Sequence, residues 1–453
     1  MAAPASKLVS QWQAQFQGKL LTSDMEQWEA ARRIWNGMID RRPAVIAQCL
    51  SASDVRTAVK LGSTEGLSLS IRGGGHGVAG TAVCDGGLMI DLSSMKSIQV
   101  NPGAREAIAA PGVVWGEFDR ATQAHGLATT GGQVSHTGIA GLTLGGGLGY
   151  LMGKCGAVCD NLLSAEIVTA DGELLTTSQE QNADLFWAVR GAGANFGVVT
   201  EFRYHLHPLG DVLAGLVLHP RERAAELIAF QTEFLKDSPD ELYTTIGFFN
   251  SPEGVPLAAI LVVYSGTVAD GERLLEPLRE FGPPVADLIQ PMPYTAVQSM
   301  LDNAVPIGDR YYWKSNFVKD LSPPLVNVLS EGASAMPSPY SMILLFEMKG
   351  EMRRVPRDAM AFDHRDANFE MSIIARWTDP AADEVNIRWA RDVWIAAQPH
   401  VMSAVYSNHM TGEEGPERVR AAYGGAKYDK LAALKARFDP TNLFKLNHNI
   451  LPR

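Results

Sequence analysis

Apolar and polar residues alternate along several short segments of this chain, and each such segment predicts a β-strand. The runs RRPAVIAQCL and LSLSIRGG enclose SASDVRTAVKLGSTEG, whose apolar residues recur with helical spacing after Ser51, a typical N-cap. Further strands are predicted in GLMIDLSSM, EAIAAPGVVW, LSAEIVTADGELLT and NFGVVTEFRYHLHPL, with a hairpin turn at residues 171–173. The chain therefore begins with a βαβ-like unit and continues as a β-rich stretch.

The middle of the chain has a different pattern, in which strands and amphipathic helices follow one another. YTTIGFFNS, LAAILVVYSG, YSMILLFEMKG and FEMSIIARW predict strands, while PRERAAELIAFQTEFLKD and DGERLLEPLREFG predict helices. An antiparallel sheet with helices on one side fits this order. Glycine is concentrated between Ile71 and Gly197 and becomes rare afterwards, which predicts a domain boundary near Pro208. A last helix is predicted to end before DPTNLF.

Size, charge and cysteine content exclude several classes of function. The 453 residues are enough for two or three domains, and a formal net charge of −11 argues against nucleic-acid binding. The four cysteines form no disulfide framework and no metal-ligand cluster with histidine. The first residues carry no secretion signal, and no apolar run approaches the ~18 residues of a spanning helix. We therefore expect a soluble cytoplasmic protein without a metal, nucleic-acid or membrane partner.

Two glycine clusters stand out, RGGGHG at residues 72–77 and GGQVSHTGIAGLTLGGGLG at residues 131–149. Backbone without Cβ atoms can approach a ligand closely, and its N–H groups can bind phosphates. Two such loops favour a long ligand such as a dinucleotide, although tight turns in a β-rich domain are an alternative. Neither loop has the G-x-G-x-x-G pattern in a strand-to-helix setting, so a Rossmann site is disfavoured.

His76 lies within the first cluster, where no apolar neighbour in the sequence can pack against it. It is either a loop histidine bonded to backbone, a metal ligand, or a ring nitrogen held against a cofactor. No histidine or carboxylate cluster lies nearby, which makes the metal interpretation the weakest.

Five ordered motifs make the chain recognisable: IRGGGHGVAG, GGLMIDLSSM, GLTLGGGLGYLMGKCGAVCDNLLSAEIVTADGELL, DLFWAVRGAGANFGVVTEF and DPTNLFKLNHNI. Together they resemble FAD-linked oxidases of the vanillyl-alcohol-oxidase/PCMH superfamily, in particular the berberine-bridge-enzyme-like group and its bacterial branch that includes 6-hydroxy-D-nicotine oxidase. The resemblance implies an α+β fold. A PCMH-type FAD-binding domain with two α/β subdomains would comprise residues 1–209 and 412–453, and a substrate domain would comprise residues 210–411.

The resemblance also implies how FAD is bound. In this family the histidine at the position of His76 is bonded to the 8α-methyl group of the flavin. The other residues at FAD-binding positions of the family motifs are Arg72, Gly73, Gly74, Gly75, Gly77, Ser135, His136, Gly138, Gly141, Leu142, Gly145, Gly146, Asp160, Asn161, Val198, Val199, Asn447 and Asn449.

Many members of the family add a second flavin link through a cysteine just before the second glycine loop. The matching position here is Val134, and Cys155 lies beyond the loop, so we expect one covalent link only. A second link through Cys155 is a minor alternative.

Residues that act on the substrate are expected in the middle domain, whose sheet covers the flavin in this family. Polar groups occur in RYYWKSNF, LLFEMKG, FEMSIIARW and AVYSNHM, which we interpret as strands. The first catalytic candidate is Tyr406, followed by Asn408, Lys314 and Glu347. Tyrosine is also common in strands for reasons of β-propensity, and Lys314 and Glu347 can equally face solvent or form ion pairs. The catalytic glutamate of berberine-type members has no clear counterpart, since Ser372 or its neighbours lie near that place.

We therefore expect an FAD-dependent oxidoreductase that oxidises a small-molecule alcohol or amine by hydride transfer to covalently bound FAD. Molecular oxygen is the expected reoxidant, because the position of the family's oxygen gate, about Thr137, is small. An oligosaccharide or sugar oxidase of the same fold is one alternative, and a non-catalytic flavin-binding protein is another.

Overall fold

The computed structural model of this chain describes residues 5–453. The strands are β1 Lys19–Leu21, β2 Val45–Gln48, β3 Leu69–Arg72, β4 Leu88–Asp91, β5 Ile98–Asn101, β6 Glu106–Ala109, β7 Leu127–Ala128, β8 Leu162–Val168, β9 Leu174–Ser178, β10 Val198–His205, β11 His207–Pro208, β12 Val212–Pro220, β13 Leu242–Asn250, β14 Pro256–Tyr264, β15 Ala286–Asp287, β16 Gln290–Met292, β17 Arg310–Val318, β18 Met342–Glu347 and β19 Phe369–Trp377.

The helices are α1 Ala5–Trp12, α2 Trp28–Ala31, α3 Ala52–Thr64, α4 Trp115–Gln123, α5 Ile139–Leu144, α6 Met152–Cys155, α7 Ala183–Ala192, α8 Ala224–Phe234, α9 Val268–Glu280, α10 Tyr294–Ser299, α11 Pro323–Ser334, α12 Glu351–Arg354, α13 Asp383–Ala397, α14 Pro416–Tyr423 and α15 Gly425–Phe438.

Residues 5–208 form three sheets: a two-stranded one of β7 and β11, and two larger ones that place the glycine loops. The four-stranded sheet has the order β1-β2-β4-β3, and β4 pairs in parallel with both β2 and β3. The connecting helix α3 begins after Ser51, whose Oγ accepts a hydrogen bond from the Asp54 N–H at 3.3 Å, which confirms the predicted N-cap. The first glycine loop follows directly from the end of β3.

The second sheet is five-stranded and antiparallel, with the order β5-β6-β10-β8-β9. Its β8–β9 hairpin turns at Gly172, where φ is +80° and a glycine avoids strain, as the sequence predicted. Helices α5 and α7 pack on this part of the molecule, and Ile139, Phe186 and Phe202 contribute to one apolar core.

The middle of the chain forms an eight-stranded antiparallel sheet along the path β15-β12-β14-β13-β18-β19-β17, with β16 paired to β12. Helices α8, α9, α11 and α13 cover one face, where Leu227, Leu275, Leu329 and Trp389 pack against the strands. The predicted antiparallel sheet with helices on one side is therefore confirmed. Its other face is directed toward the glycine loops, because Phe317 of β17 and Leu148 share a second core.

The chain then returns to the first part of the molecule. Tyr428 and Leu431 of α15 pack in the same core as Phe186 of α7. The fully buried Lys435 ammonium donates to the Asn195 carbonyl oxygen at 2.6 Å and to the Asp439 carboxylate at 2.7 Å. This buried ion pair holds the C-terminal segment against the loop that precedes β10.

One predicted strand is wrong. The segment AVYSNHM forms a 3-10 turn over Ser407–His409, in which the His409 N–H donates to the Tyr406 carbonyl oxygen at 3.0 Å. The segment crosses the end of the second glycine loop instead of joining a sheet, and the Asn408 amide donates to the Leu142 carbonyl oxygen at 3.1 Å. Among residues 5–453, no helix is long and apolar enough to cross a membrane.

Candidate active site

The two glycine loops lie side by side and form one wall of a cavity, which we call the floor (residues 73–77 and 131–145). The backbones touch: a Cβ atom added to Gly74 would lie 2.6 Å from the Gly138 backbone N. Only glycines at both positions permit this approach. The cavity has a volume of about 310 Å³, which lies at the lower end of the range for small-molecule and cofactor sites.

His76 lies at the edge of the floor in a stack of aromatic rings. Its ring lies 4.3 Å from that of Trp35 and 5.0 Å from that of His136, and Trp35 stacks in turn on Tyr311 at 3.8 Å. The His76 Nε2 lies 3.1 Å from the His136 Nδ1. Burial, with a smaller contribution from His136, lowers the pKa of His76 to about 3. The imidazole is therefore neutral at physiological pH and held in a fixed plane.

The opposite wall is the cavity-facing side of β17–β19, which we call the roof. Trp313 of β17 and Phe346 of β18 line the cavity. Phe346 pairs with Glu370, and Ser315 pairs with Ser372. Side chains on paired strands alternate in step, so Glu370 and Ser372 lie on the same face as Phe346 and Trp313.

Two of the predicted catalytic residues lie on the other face of this sheet. The Lys314 ammonium lies 2.9 Å from both Glu413 Oε1 and Glu414 Oε1 and is nearly buried. The Glu347 carboxylate accepts a hydrogen bond from the Thr244 hydroxyl at 2.8 Å, and burial raises its pKa. Neither side chain lines the cavity.

Tyr406 and Asn408, the other two candidates, do line the cavity. The Tyr406 hydroxyl oxygen accepts hydrogen bonds from the Gly147 N–H at 3.0 Å, the Leu148 N–H at 3.2 Å and the Asn408 amide at 2.8 Å. Burial outweighs these donors and raises the pKa of Tyr406. The contacts favour a hydrogen-bonding role for Tyr406 over a phenolate base.

His409 is a cavity residue that the sequence analysis did not select. Its Nδ1 lies 2.9 Å from Glu370 Oε1 and 2.9 Å from Ser372 Oγ. The sequence feature that could identify His409 is its position directly after Asn408. The predicted strand places alternate residues on one face and therefore favours Tyr406 and Asn408 instead.

The remaining predicted FAD residues divide into two groups. Those that line the cavity are Gly73, Gly74, Gly75, His76, Gly77, Gly138, Gly141, Leu142, Gly145, Val198, Val199 and Asn447. Those that lie outside the lining are Arg72, Ser135, His136, Gly146, Asp160, Asn161 and Asn449.

Several residues of the second group hold the loops in place. The Arg72 guanidinium donates to the Ala31 carbonyl oxygen at 2.7 Å, away from the cavity. The Ser135 hydroxyl donates to Asp302 at 2.6 Å, and Asp160 accepts from Arg365 at 2.6 Å.

Asn161 and Gly146 also support the second loop from outside the cavity. The Asn161 amide donates to the Cys155 carbonyl oxygen at 2.8 Å. Gly146 has φ of +110° and lies against the Phe362 ring, where an added Cβ would be 2.4 Å from the ring. These contacts position the loop, whereas the residues that line the cavity are the ones that can contact a ligand.

Comparisons with known proteins agree with this site. Residues 43–178 match the family model described as FAD binding domain, and residues 405–451 match the one described as berberine and berberine like. The chain is 32% identical to an FAD-linked oxidoreductase of Dictyostelium discoideum, over 99% of this chain and 98% of that protein. It is also 32% identical to (R)-6-hydroxynicotine oxidase of Paenarthrobacter nicotinovorans, over 96% and 97% of the two chains.

The chain belongs to the berberine-bridge-enzyme-like family of FAD-linked oxidoreductases. A crystal structure of 6-hydroxy-D-nicotine oxidase from Arthrobacter nicotinovorans superposes on it with a TM-score of 0.89 at 30% identity, covering 97% of this chain and 98% of that one. The α+β fold and the enzyme class expected from the sequence are thereby confirmed.

The cavity of this FAD-linked oxidoreductase fits its cofactor. Gly77 and Gly141 line the cavity, and a Cβ added to either would meet no atom within 4 Å, so their backbone is open to a ligand. The Asn447 Oδ1 is buried and has no hydrogen-bond partner among residues 5–453. The Asn447 amide nitrogen donates to the Ala194 carbonyl oxygen at 2.8 Å, which holds the side chain at the cavity wall. An acceptor left in this way suits a ligand that carries N–H groups.

Proposed function

We propose that this oxidoreductase oxidises a small-molecule alcohol or amine by hydride transfer to FAD bound covalently at His76, and that molecular oxygen reoxidises the flavin. The observation that supports the proposal best is the neutral His76 ring, clamped between Trp35 and His136 at the cavity edge. Bound FAD supplies a hydride acceptor. The chain itself supplies the glycine backbone that binds it and the side chains that orient the substrate.

The geometry at His76 supports a covalent bond through one particular nitrogen. Its Nε2 lies 3.1 Å from His136 Nδ1, so we expect the other ring nitrogen, Nδ1, to form the bond to the flavin. Only an unprotonated imidazole nitrogen has a lone pair for such a bond, and the lowered pKa of His76 provides it.

A single flavin link is supported by the surroundings of Cys155. Val134 lines the cavity where related enzymes carry the second linking cysteine, whereas Cys155 does not line it. Burial raises the pKa of the Cys155 thiol to about 12, so the reactive thiolate is scarce at neutral pH. Proteolysis and mass spectrometry should find the flavin on the His76 peptide alone; a flavin on a Cys155 peptide would overturn the single link.

The substrate end of the cavity supports a small ligand with an apolar body. Trp313 and Phe346 face it from the roof, and Gln133 and Thr137 face it from the floor. By its name, the relative called (R)-6-hydroxynicotine oxidase acts on (R)-6-hydroxynicotine.

The role of oxygen is tested separately from that of the substrate. Thr137 lines the cavity and has a small side chain, which leaves space beside the ligand. The enzyme is reduced without air and then mixed with air-saturated buffer or with a dye acceptor. We expect rapid reoxidation in air; slow reoxidation by air with rapid reaction of the dye would identify a dehydrogenase.

A further inference from the structure

His409 is attached to the roof by two hydrogen-bonding groups. Its Nδ1 lies 2.9 Å from Glu370 Oε1 and 2.9 Å from Ser372 Oγ. The Ser372 hydroxyl lies 3.0 Å from Glu370 Oε2, so it donates to the carboxylate. The Glu370 side chain is 0% exposed and that of His409 is 19% exposed. The carboxylate is therefore shielded from solvent, while the imidazole reaches the cavity.

These contacts determine which nitrogen of His409 can accept a proton. A carboxylate and a hydroxyl lone pair at Nδ1 both require a hydrogen there. In the neutral imidazole with its hydrogen on Nδ1, Nε2 carries the lone pair, and Nε2 forms no hydrogen bond within residues 5–453. Because His409 lines the cavity, this lone pair is available to a ligand. A buried carboxylate that orients an imidazole also stabilises the imidazolium that forms when the imidazole takes a proton.

The neighbours of His409 leave it as the best placed base at the substrate end. Trp313, Phe346 and Tyr406 surround it with ring centroids 5.1, 6.2 and 4.8 Å away. Three titratable groups besides Glu370 line the cavity with His409: the Tyr406 hydroxyl, which is occupied by three donors, and the rings of His76 and His448. Aromatic walls around a basic nitrogen also fit a substrate with an aromatic ring.

We propose that His409, oriented by Glu370 and Ser372, is the base that removes the hydroxyl proton of an alcohol substrate carrying an aromatic ring. This inference rests on the proposed function and narrows its substrate to an alcohol. The O–H proton moves to His409 Nε2, the C–H hydrogen leaves with its electron pair to the FAD as acceptor, and a C=O bond forms. The substrate loses two electrons and two hydrogens. Molecular oxygen then accepts both electrons, the hydride hydrogen and one proton, equivalent to the one taken up by His409, and becomes hydrogen peroxide.

A base at this position favours an alcohol over an amine as the substrate. A neutral amine can release a hydride with its own nitrogen lone pair and needs no deprotonation at that moment. An alcohol must lose its O–H proton for the carbonyl group to form, and general-base assistance is worth about 10²–10⁴-fold in rate. An imidazole held by a buried carboxylate is suited to this task and would be superfluous for a neutral amine.

The test reads proton transfer to His409 without depending on turnover. The probe is 4-nitrophenol, an aromatic hydroxyl compound whose anion is coloured, added to the flavin-loaded holoenzyme and followed by difference spectroscopy across pH. In the wild type we expect it to bind as the anion at a pH at which it is neutral in water, with the proton on His409. His409→Asn and Glu370→Gln should lose this ionisation and bind the probe at least about tenfold more weakly, as expected for one charge-assisted hydrogen bond.

Controls separate this result from the fold and from the cofactor. Glu370→Gln keeps the shape of the side chain, and His125→Asn replaces an exposed histidine and should behave as the wild type. The proposal would be overturned if the wild type bound 4-nitrophenol in its neutral form or gave no spectral change with it. It would also be overturned if 4-nitrophenol still ionised in both His409→Asn and Glu370→Gln. A colourless acid-precipitated pellet would instead contradict the covalent FAD of the proposed function, and the 4-nitrophenol result would still report on His409.

Discussion

The floor and the roof enclose the same cavity, but the floor presents mainly backbone groups to it and the roof presents side chains. The floor presents backbone: Gly77 and Gly141 offer peptide groups to the cavity with no side chain in between. The roof presents side chains of strands, among them Trp313 and Phe346. A ligand held by backbone is insensitive to side-chain identity except where glycine is required, whereas a ligand met by strands depends on which residues face inward.

The difference explains why neighbouring residues in the roof have unrelated environments. Trp313 lines the cavity, while Lys314, one residue later, forms ion pairs with Glu413 and Glu414 on the helix-covered face. A shift of one residue in register would exchange these roles. In the floor, a shift of one residue would move the glycines away from the positions where the two loops touch, and the loop conformation itself would change.

The largest expected effect is on the floor. In Gly74→Ala the added Cβ would lie 2.6 Å from the Gly138 backbone, so the two loops must separate. We expect loss of bound flavin and a destabilisation of about 3 kcal/mol, typical of severe overpacking. Gly103→Ala, at an exposed turn with its nearest contact at 3.5 Å, is the control and should retain both. Flavin absorbance and thermal unfolding measure the outcome; a yellow Gly74→Ala protein of wild-type stability would contradict this description of the floor.

The next largest effect contrasts the two faces of the roof sheet. Lys314→Met removes the ammonium group beside the buried Glu414. Glu414 keeps the Arg418 guanidinium at 3.2 Å as an ion-pair partner, so we expect a cost of about 2 kcal/mol, below that of an uncompensated buried charge. We expect lower stability in denaturant unfolding but an unchanged rate of flavin bleaching by any alcohol that the wild type oxidises. Lys445→Met, at an exposed lysine, should change neither. Slower bleaching at wild-type stability would return Lys314 to the catalytic residues.

Tyr406→Phe tests the contact between Tyr406, which precedes the turn at Ser407–His409, and the end of the second glycine loop. The substitution removes the acceptor of the Gly147 and Leu148 N–H groups and one of the two acceptors of the Asn408 amide, at a cost of about 1–3 kcal/mol. We expect flavin to remain bound and its reduction to slow moderately, because His409 is displaced with the turn. Tyr340→Phe, at an exposed tyrosine, is the matched control. If the flavin of Tyr406→Phe were reduced at the wild-type rate, Tyr406 would no longer be a candidate catalytic residue.

The smallest expected effect concerns pH and lies outside both walls. Burial lowers the pKa of His207 to about 4, and its Nε2 lies 2.6 Å from Asn161 Oδ1 beneath the second loop. Between pH 6.5 and about 4 the unfolded chain holds a proton that the folded chain does not, so stability falls on acidification. The slope is at most about 1.4 kcal/mol per pH unit. In His207→Gln this part of the slope should disappear, whereas in His125→Gln, at an exposed position, it should persist.

Sequence alone predicts the floor better than the roof, for a physical reason. The close approach of Gly74 and Gly138 can be predicted from the sequence, because only glycine allows it and both positions are glycine. Which face of the sheet Lys314 and Glu347 occupy depends on how distant strands pair. A local sequence pattern does not contain this information. The sequence predicts a strand over AVYSNHM, and strand alternation places His409 on the opposite side from Tyr406 and Asn408. The 3-10 turn at Ser407–His409 instead brings all three residues to the cavity.

The most direct test of the account is acid precipitation of the purified protein, followed by a visible spectrum of pellet and supernatant. We predict a yellow pellet whose flavin, after proteolysis, is attached to the peptide that contains His76. A yellow supernatant over a colourless pellet would show that FAD is bound without a covalent link, and it would contradict the role assigned here to the His76 ring.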